Sequence, residues 1–435
     1  MSDDVGCVQR TSQLIQCFLW CVSRTLLALS TILLPFAAIA GDWPQILGQH
    51  RNGIADDERL NLDWPGGKPK TLWKRDAGDG VAGVAVADGR VVLFHRVGNQ
   101  ELVEAMDPLT GKVLWKVGFP TSFRSQVSTA GDGPRCVPVV HRGSVFVFGA
   151  AGDLHCLKLA DGNELWSRAA LQEYKAQEGY FGVGSTPIVE GDKLIVNVGG
   201  DRSGAGVVAF DLETGKTIWK ATDEQASYSA PTTATVDGVR HVIFTTRLNL
   251  VSLDPDTGNV RFRFPFGQRG PTVNAATPLV IDGHLFLSAS YGIGAVFAKI
   301  GKTEAKMIWA NDEVMSSQYP TCIYKDGFLY GVHGRQDGPP ATLRCFDPKT
   351  GKVAWSKEDF GMASIILADS KLLVVKVDGT LLVAEANPKE LRPLASARVL
   401  DNASSRDPAL ALPALSGGLL YVRDKQSLKC IDLRK

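Results

Sequence analysis

The side chains of this chain that could carry catalytic or metal chemistry are its histidines, its cysteines and two glycine-rich runs. His50, His95, His141, His155, His241, His284 and His333 contain no pair at metal-ligand spacing. Most fall in hairpins or strands, where a surface or satisfied core histidine is the ordinary reading. The eight cysteines include neither a C-x-x-C nor an adjacent pair, so no redox or zinc motif is written in them. Cys156, Cys345 and Cys430 share one small position of a repeated phrase described below, while Cys136 and Cys322 fall near strand starts. Ser185, in Gly182-Val183-Gly184-Ser185, lacks the following x-Gly of a nucleophile elbow. The run Gly199-Gly200 to Gly204-Ala205-Gly206 precedes no helical pattern, so it is no phosphate cradle. These residues predict no catalytic set and no metal site.

The elements that would position any site come from a repeat. An eleven-residue phrase runs from a small residue through an apolar one, Asp, and Thr-Gly-Lys to Trp. It reads Ala105-Met106-Asp107 to Trp115, Ala209-Phe210-Asp211 to Trp219, and Cys345-Phe346-Asp347 to Trp355. Aligned on the last position, the copies end at Trp73, Trp115, Trp166, Trp219, Phe262, Trp309, Trp355 and Leu394. Ser252 and Ala384 open two degenerate copies, and Ala298 opens one that is a residue longer. A period of about 40–50 residues marks a repeat architecture. Upstream of each phrase lies strand, Gly-containing hairpin, strand, as in Ala276-Thr277-Pro278-Leu279-Val280 with Asp282-Gly283.

Four antiparallel strands per unit make one blade of an all-β propeller. The C-terminal unit, ending in Leu428-Lys429-Cys430-Ile431-Asp432, has no Trp strand of its own, and Thr71-Leu72-Trp73-Lys74 can supply it. Pairing this N-terminal strand with the C-terminal strands closes a ring of eight blades. In that ring Trp73, Trp115, Trp166, Trp219, Trp309 and Trp355 are structural docking residues, each packing on the neighbouring blade.

Before the repeats, Arg24 precedes the apolar run Leu26 to Ala40, which ends in Ala38-Ile39-Ala40. A charge, a short apolar stretch and an A-x-A end describe a secretory signal peptide cleaved after Ala40, and hence an exported, periplasmic or envelope protein. Cys21 lies ahead of that run and not at its end, so lipid anchoring is not expected. The domain reading is residues 1–40 as leader, 41–69 as an N-terminal segment packing on the propeller with Trp43 as an extra anchor, and 70–435 as the propeller. Lys and Arg number 47 against 46 Asp and Glu, giving a net charge of +1. That balance excludes nucleic acid or an anionic membrane as main partner.

In a propeller, residues just before each innermost strand ring one mouth of the central channel. Here these are Tyr180, Phe181, Tyr228, Ser229, Asn274, Gln318 and Tyr319, with His333 and Arg335 in a second-to-third-strand loop that can reach either mouth. Such aromatic, amide and cationic groups suit a peptide or small polar ligand. Tyr228 and Tyr319 fit equally well as braces between blades.

The phrase ending in Trp resembles the tryptophan-docking motif of the PQQ-like β-propeller repeat family, which includes the outer-membrane assembly lipoprotein BamB and the quinoprotein alcohol dehydrogenases. The resemblance covers essentially all of the chain after the leader. Asp42-Trp43-Pro44-Gln45, Arg51-Asn52-Gly53, Trp64-Pro65, Tyr228-Ser229-Ala230-Pro231, Val273-Asn274-Ala275-Ala276-Thr277-Pro278 and His333-Gly334-Arg335-Gln336 are similar to an exported branch of planctomycete-type bacteria. From BamB the resemblance implies a non-catalytic, monomeric binding or scaffolding module whose partner is an envelope protein or peptide. From the dehydrogenases it implies PQQ with Ca²⁺, a carboxylate and amide shell and often a vicinal disulfide. Asn274 is a lone amide candidate for that shell, without a matching Glu and Asp set. No cofactor is therefore expected, with a quinoprotein alcohol or sugar dehydrogenase as one alternative and a periplasmic peptide or polysaccharide sensor as another.

Overall fold

Short apolar runs separated by Asp-Gly and Thr-Gly turns fold into eight sheets, each built on four consecutive or ring-closing antiparallel strands, and one of the sheets gains a short fifth strand in parallel. The computed structural model describes residues 41–127 and 130–435. The expected leader, 1–40, lies outside the described residues. Blades 1 to 7 span 85–120, 139–169, 188–221, 232–265, 279–311, 323–357 and 363–398. Blade 8 joins 414–432 to the N-terminal strand Lys70–Asp76, which pairs antiparallel with Ser427–Asp432 and sets Trp73 opposite Cys430. The ring is an eight-bladed β-propeller.

Burial follows strand position. Middle strands are covered on both faces, as in Ser144–Phe148, where Val145, Phe146, Val147 and Phe148 are all buried. Outer strands alternate between covered and exposed residues, as expected for one wet face. The first hairpin of several blades needs left-handed backbone at two successive residues. Asp282 and Gly283, at φ 47° and 71°, illustrate the primed turn that suits the strand twist.

The docking phrase acts between blades. In blade 3, Asp211 Oδ1 accepts the Thr214 N–H at 2.8 Å and the Thr214 hydroxyl at 2.6 Å. Gly215 follows at φ 66°, and a Cβ there would lie 2.6 Å from the Trp166 ring of blade 2. Trp166 Nε1 donates to the Leu212 carbonyl at 2.9 Å. The same bond runs from Trp73 to Pro108 (2.9 Å), from Trp115 to Leu159 (2.8 Å) and from Trp219 to Pro255 (3.1 Å). Trp309 reaches Pro348 (2.8 Å) and Trp355 reaches Asn387 (2.9 Å).

Two copies depart from the sequence alignment. In blade 7 Ala395, not Leu394, stands in the Trp register, opposite Val383, and Leu394 is an exposed bulge residue. The blade it faces joins its third strand to a fourth from the N-terminus, so no third-to-fourth turn exists there for a ring to cover. In blade 5 Trp309 stands opposite Phe297 and not beside Ala298, because the turn is longer and the bulge falls between those two residues.

Residues 41–62 run across the mouth formed by the first hairpins. Trp43, 2% exposed, exchanges backbone hydrogen bonds with Val86 of blade 1, and the Pro44 carbonyl accepts the Val140 N–H of blade 2. Ile54–Ala55 pairs in parallel with the innermost strand of blade 7. Glu58 accepts the Gly418 N–H of blade 8 at 2.6 Å. Between these ties, buried Arg51 donates to Gln45 Oε1 at 2.8 Å and to the carbonyls of Pro231 (3.1 Å), Thr186 (3.4 Å) and Pro187. Burial pushes its guanidinium down to about 9, which leaves it charged at neutral pH. This cation is held entirely by neutral acceptors of blades 3 and 4 and of its own segment.

Trp166→Phe keeps the ring but loses the donor, and is expected to cost about 1 kcal/mol, against about 3–5 kcal/mol for Trp166→Ala. Urea midpoints followed by circular dichroism check this order. Arg51→Ala leaves buried carbonyls without a donor and is expected to cost about 1–3 kcal/mol. Hydrogen exchange should then rise in 41–62 before it rises in the blades.

Candidate functional site

Opposite the strapped mouth lie the loops between blades and the second-to-third-strand loops. The sequence candidates fall here, but they do not form one site. Ser229 is buried and belongs to a relay between blades: Ser185 Oγ donates to the Ser229 carbonyl at 2.8 Å, and Ser229 Oγ donates to the Ala276 carbonyl at 2.7 Å. Threonines one residue later tie neighbours again, with Thr186 Oγ1 accepting the Val137 N–H (3.1 Å) and Thr321 Oγ1 accepting the Thr277 N–H (3.0 Å). Asn274 is also buried. Its Nδ2 donates to the carbonyls of Thr246 (2.9 Å), Phe266 (3.1 Å) and Arg247 (3.3 Å).

Tyr228 seats the loop that leads into blade 3. Its hydroxyl accepts the Phe181 N–H at 3.0 Å, and a Cβ at Gly179 or Gly184 would lie 2.5 Å from the tyrosine. Burial pushes this phenol above its ordinary value. Tyr319 packs on the core between blades 6 and 7 and donates to Gln336 Oε1 at 3.3 Å. Nearby, Gln318 accepts the Gln336 N–H at 2.7 Å and donates to Tyr291 Oη at 2.9 Å. Arg335 covers the Tyr291 ring at 5.1 Å and pairs with Asp337 at 3.1 Å. The His333–Arg335 loop thus lies on the same face as the other candidates, with Gly334 bridged to Ser317. Burial, with Arg344 nearby, pushes His333 down to about 4, so it is neutral at pH 7.

One concavity of this face lies over blades 3 and 4. It is a cleft of ≈ 440 Å³ lined by Gln126, Gln177, Tyr180, Tyr228, Arg247 and Arg269 among others. It adjoins a second hollow of ≈ 520 Å³ through Asp201, Gln225, Arg247 and Arg269. Of the residues expected from sequence to ring this mouth, Tyr180 and Tyr228 line the cleft. Sequence reasoning missed the glutamines and Arg269. The available signal was connection length: residues 121–138 and 170–187, before blades 2 and 3, are the longest links between blades.

A calcium–quinone site needs several converging oxygen ligands. Among the described residues no three His, Cys, Asp or Glu side chains are grouped to hold a metal ion. Asn274 Nδ2 braces blades 4 and 5 while its Oδ1 is buried without a hydrogen-bond partner, a single oxygen where a calcium shell takes several, and the five described cysteines are separate and buried. These residues do not fit that group.

A family model described as outer membrane protein assembly factor BamB matches residues 99–357. The chain belongs to that family. Among solved structures, BamB from Moraxella catarrhalis aligns with TM-score 0.61 and 15% identity, covering 84% of this chain and 100% of its own. Quinohemoprotein alcohol dehydrogenase from Comamonas testosteroni aligns with TM-score 0.68 and 16% identity, covering 91% and 81%. Likeness at such identity concerns the fold. In sequence, quinohemoprotein alcohol dehydrogenase ADH-IIG of Pseudomonas putida is 30% identical over 170 residues, 37% of this chain and 21% of that protein. The alcohol dehydrogenase (quinone) dehydrogenase subunit of Komagataeibacter europaeus is 29% identical over 145 residues, 31% and 18%. The matches thus span about a fifth of the length of these relatives.

His333 makes an acid-dependent prediction. Its folded pKa of about 4 lies below the ordinary 6.5, so between these values the unfolded chain binds more protons and stability falls as pH drops. Wild type should therefore lose more melting temperature across that window than His333→Asn. Parallel melting curves would remove this role.

Proposed function

We propose that this protein is an exported, non-catalytic propeller that binds or scaffolds a protein or peptide of the cell envelope. The observation that carries the reading is the contrast between its two faces. One mouth is strapped by residues 41–62 and Arg51, whereas the other presents an open polar cleft. The Ser229 hydroxyl and the Asn274 amide nitrogen near that second mouth are engaged in holding blades together. Membership of the family described as an outer membrane assembly factor supports an envelope setting, as does the leader-like sequence at 26–40.

The rival reading is a quinoprotein dehydrogenase, favoured by the 30% identity over 170 residues to a quinohemoprotein alcohol dehydrogenase. Titrating the purified protein with PQQ and Ca²⁺ separates the two. The expected outcome is no saturable absorbance change and no dye-coupled oxidation of alcohols or sugars. Stoichiometric binding with turnover would replace the scaffold by the enzyme.

A further inference from the structure

We propose that the cleft over blades 3 and 4 is a binding site for a neutral, linear oligosaccharide. This goes beyond the scaffolding role and does not depend on which envelope protein docks elsewhere.

The charges come first. Glu178 and Asp201 face Arg247 and Arg269 in one cleft, so the lining favours neither an anion nor a cation. Among the remaining polar groups, Gln126, Gln177 and Gln225 are amides that donate and accept at once. A ligand that answers them carries many uncharged hydroxyls. Vicinal hydroxyls match the paired atoms of planar amide, carboxylate and guanidinium groups.

An exposed ring supplies the second requirement. Tyr180 is 47% exposed at the cleft. A pyranose has a face of C–H groups that can cover such a ring while its hydroxyls reach the polar rim. Gln177, Glu178, Tyr180 and Arg269 are all exposed and, among the described residues, their side chains make no hydrogen bond or ion pair. They are available to a ligand, unlike Tyr228 and Asn274.

The walls also discriminate against an extended peptide. They are mainly loop segments around 177–184, 225–228 and 269–273, with only the short strand end 197–199 among them, which is little sheet edge for a peptide to continue. The continuation past Asp201 and Gln225, themselves bonded at 3.0 Å, into the hollow beside Asp223 and Arg263 makes the trough longer than one sugar ring needs. That shape suits a linear chain of several units.

Calorimetric titration of the purified full chain with cellotetraose, maltotetraose and chitotetraose tests the proposal, with an uncharged tetrapeptide alongside. At least one oligosaccharide should bind saturably, and Tyr180→Ala or Arg269→Ala should weaken it by about tenfold at unchanged melting temperature. Tyr324→Ala, at the strapped mouth, should bind as wild type does. The proposal is overturned if none of the three saturates, if both cleft variants bind like wild type, or if only the tetrapeptide binds. Turnover with PQQ would instead defeat the scaffold reading, and so the two failures remain distinguishable.

Discussion

Each blade of this ring has a face that only its neighbour can cover, and the Trp ring laid on the next blade's turn is how most of them do so. The ring supplies apolar area worth roughly 1.5–3 kcal/mol, and its indole N–H fixes the angle by meeting one carbonyl. At Gly111, Gly162, Gly215 and Gly258 a Cβ would come within 2.7 Å of the docked ring, so a side chain there would occupy the ring's space. The hydroxyl relay from Ser185 through Ser229 to Ala276 then ties the inner ends of blades 3, 4 and 5. With both the rim and the axis held, the loops over blades 3 and 4 stand at fixed separation, and a cleft between them is a consequence.

The architecture was legible because Asp, Thr, Gly and Trp are each demanded by a turn or a contact that few other residues satisfy. Legibility failed at Leu394 and Ala298, where the register depends on where the strand bulges. A bulge is a backbone event with little residue signature. Site residues were legible as types and places, less so as roles. Asn274, Ser229 and Tyr228 all meet backbone groups, and a carbonyl or N–H belongs to no particular residue type. Arg51 illustrates the same difficulty. In a polar, turn-rich segment it reads as a surface charge, yet its partners Thr186, Pro187 and Pro231 lie more than a hundred residues away.

The repeat that defines this family is compatible with a cofactor enzyme or with a protein-assembly factor, since it specifies blades and leaves the loops free. In this chain the polar residues nearest the axis face other backbone groups, which both stabilises the ring and withdraws them from ligands. The polar groups left over, Gln177, Glu178 and Arg269 among them, stand on the connections between blades.

The strap and the ring-closing strand are neighbours along the chain, and this sets an order for how the molecule yields to tension. A pull at Gly41 meets the Trp43–Val86 pair first, then Arg51, then the Ile54–Ala55 pair and Glu58. Only afterwards does it reach Lys70–Asp76, the seam of the propeller. The strap therefore acts as a mechanical fuse, giving way across six blades before the ring itself can be unzipped.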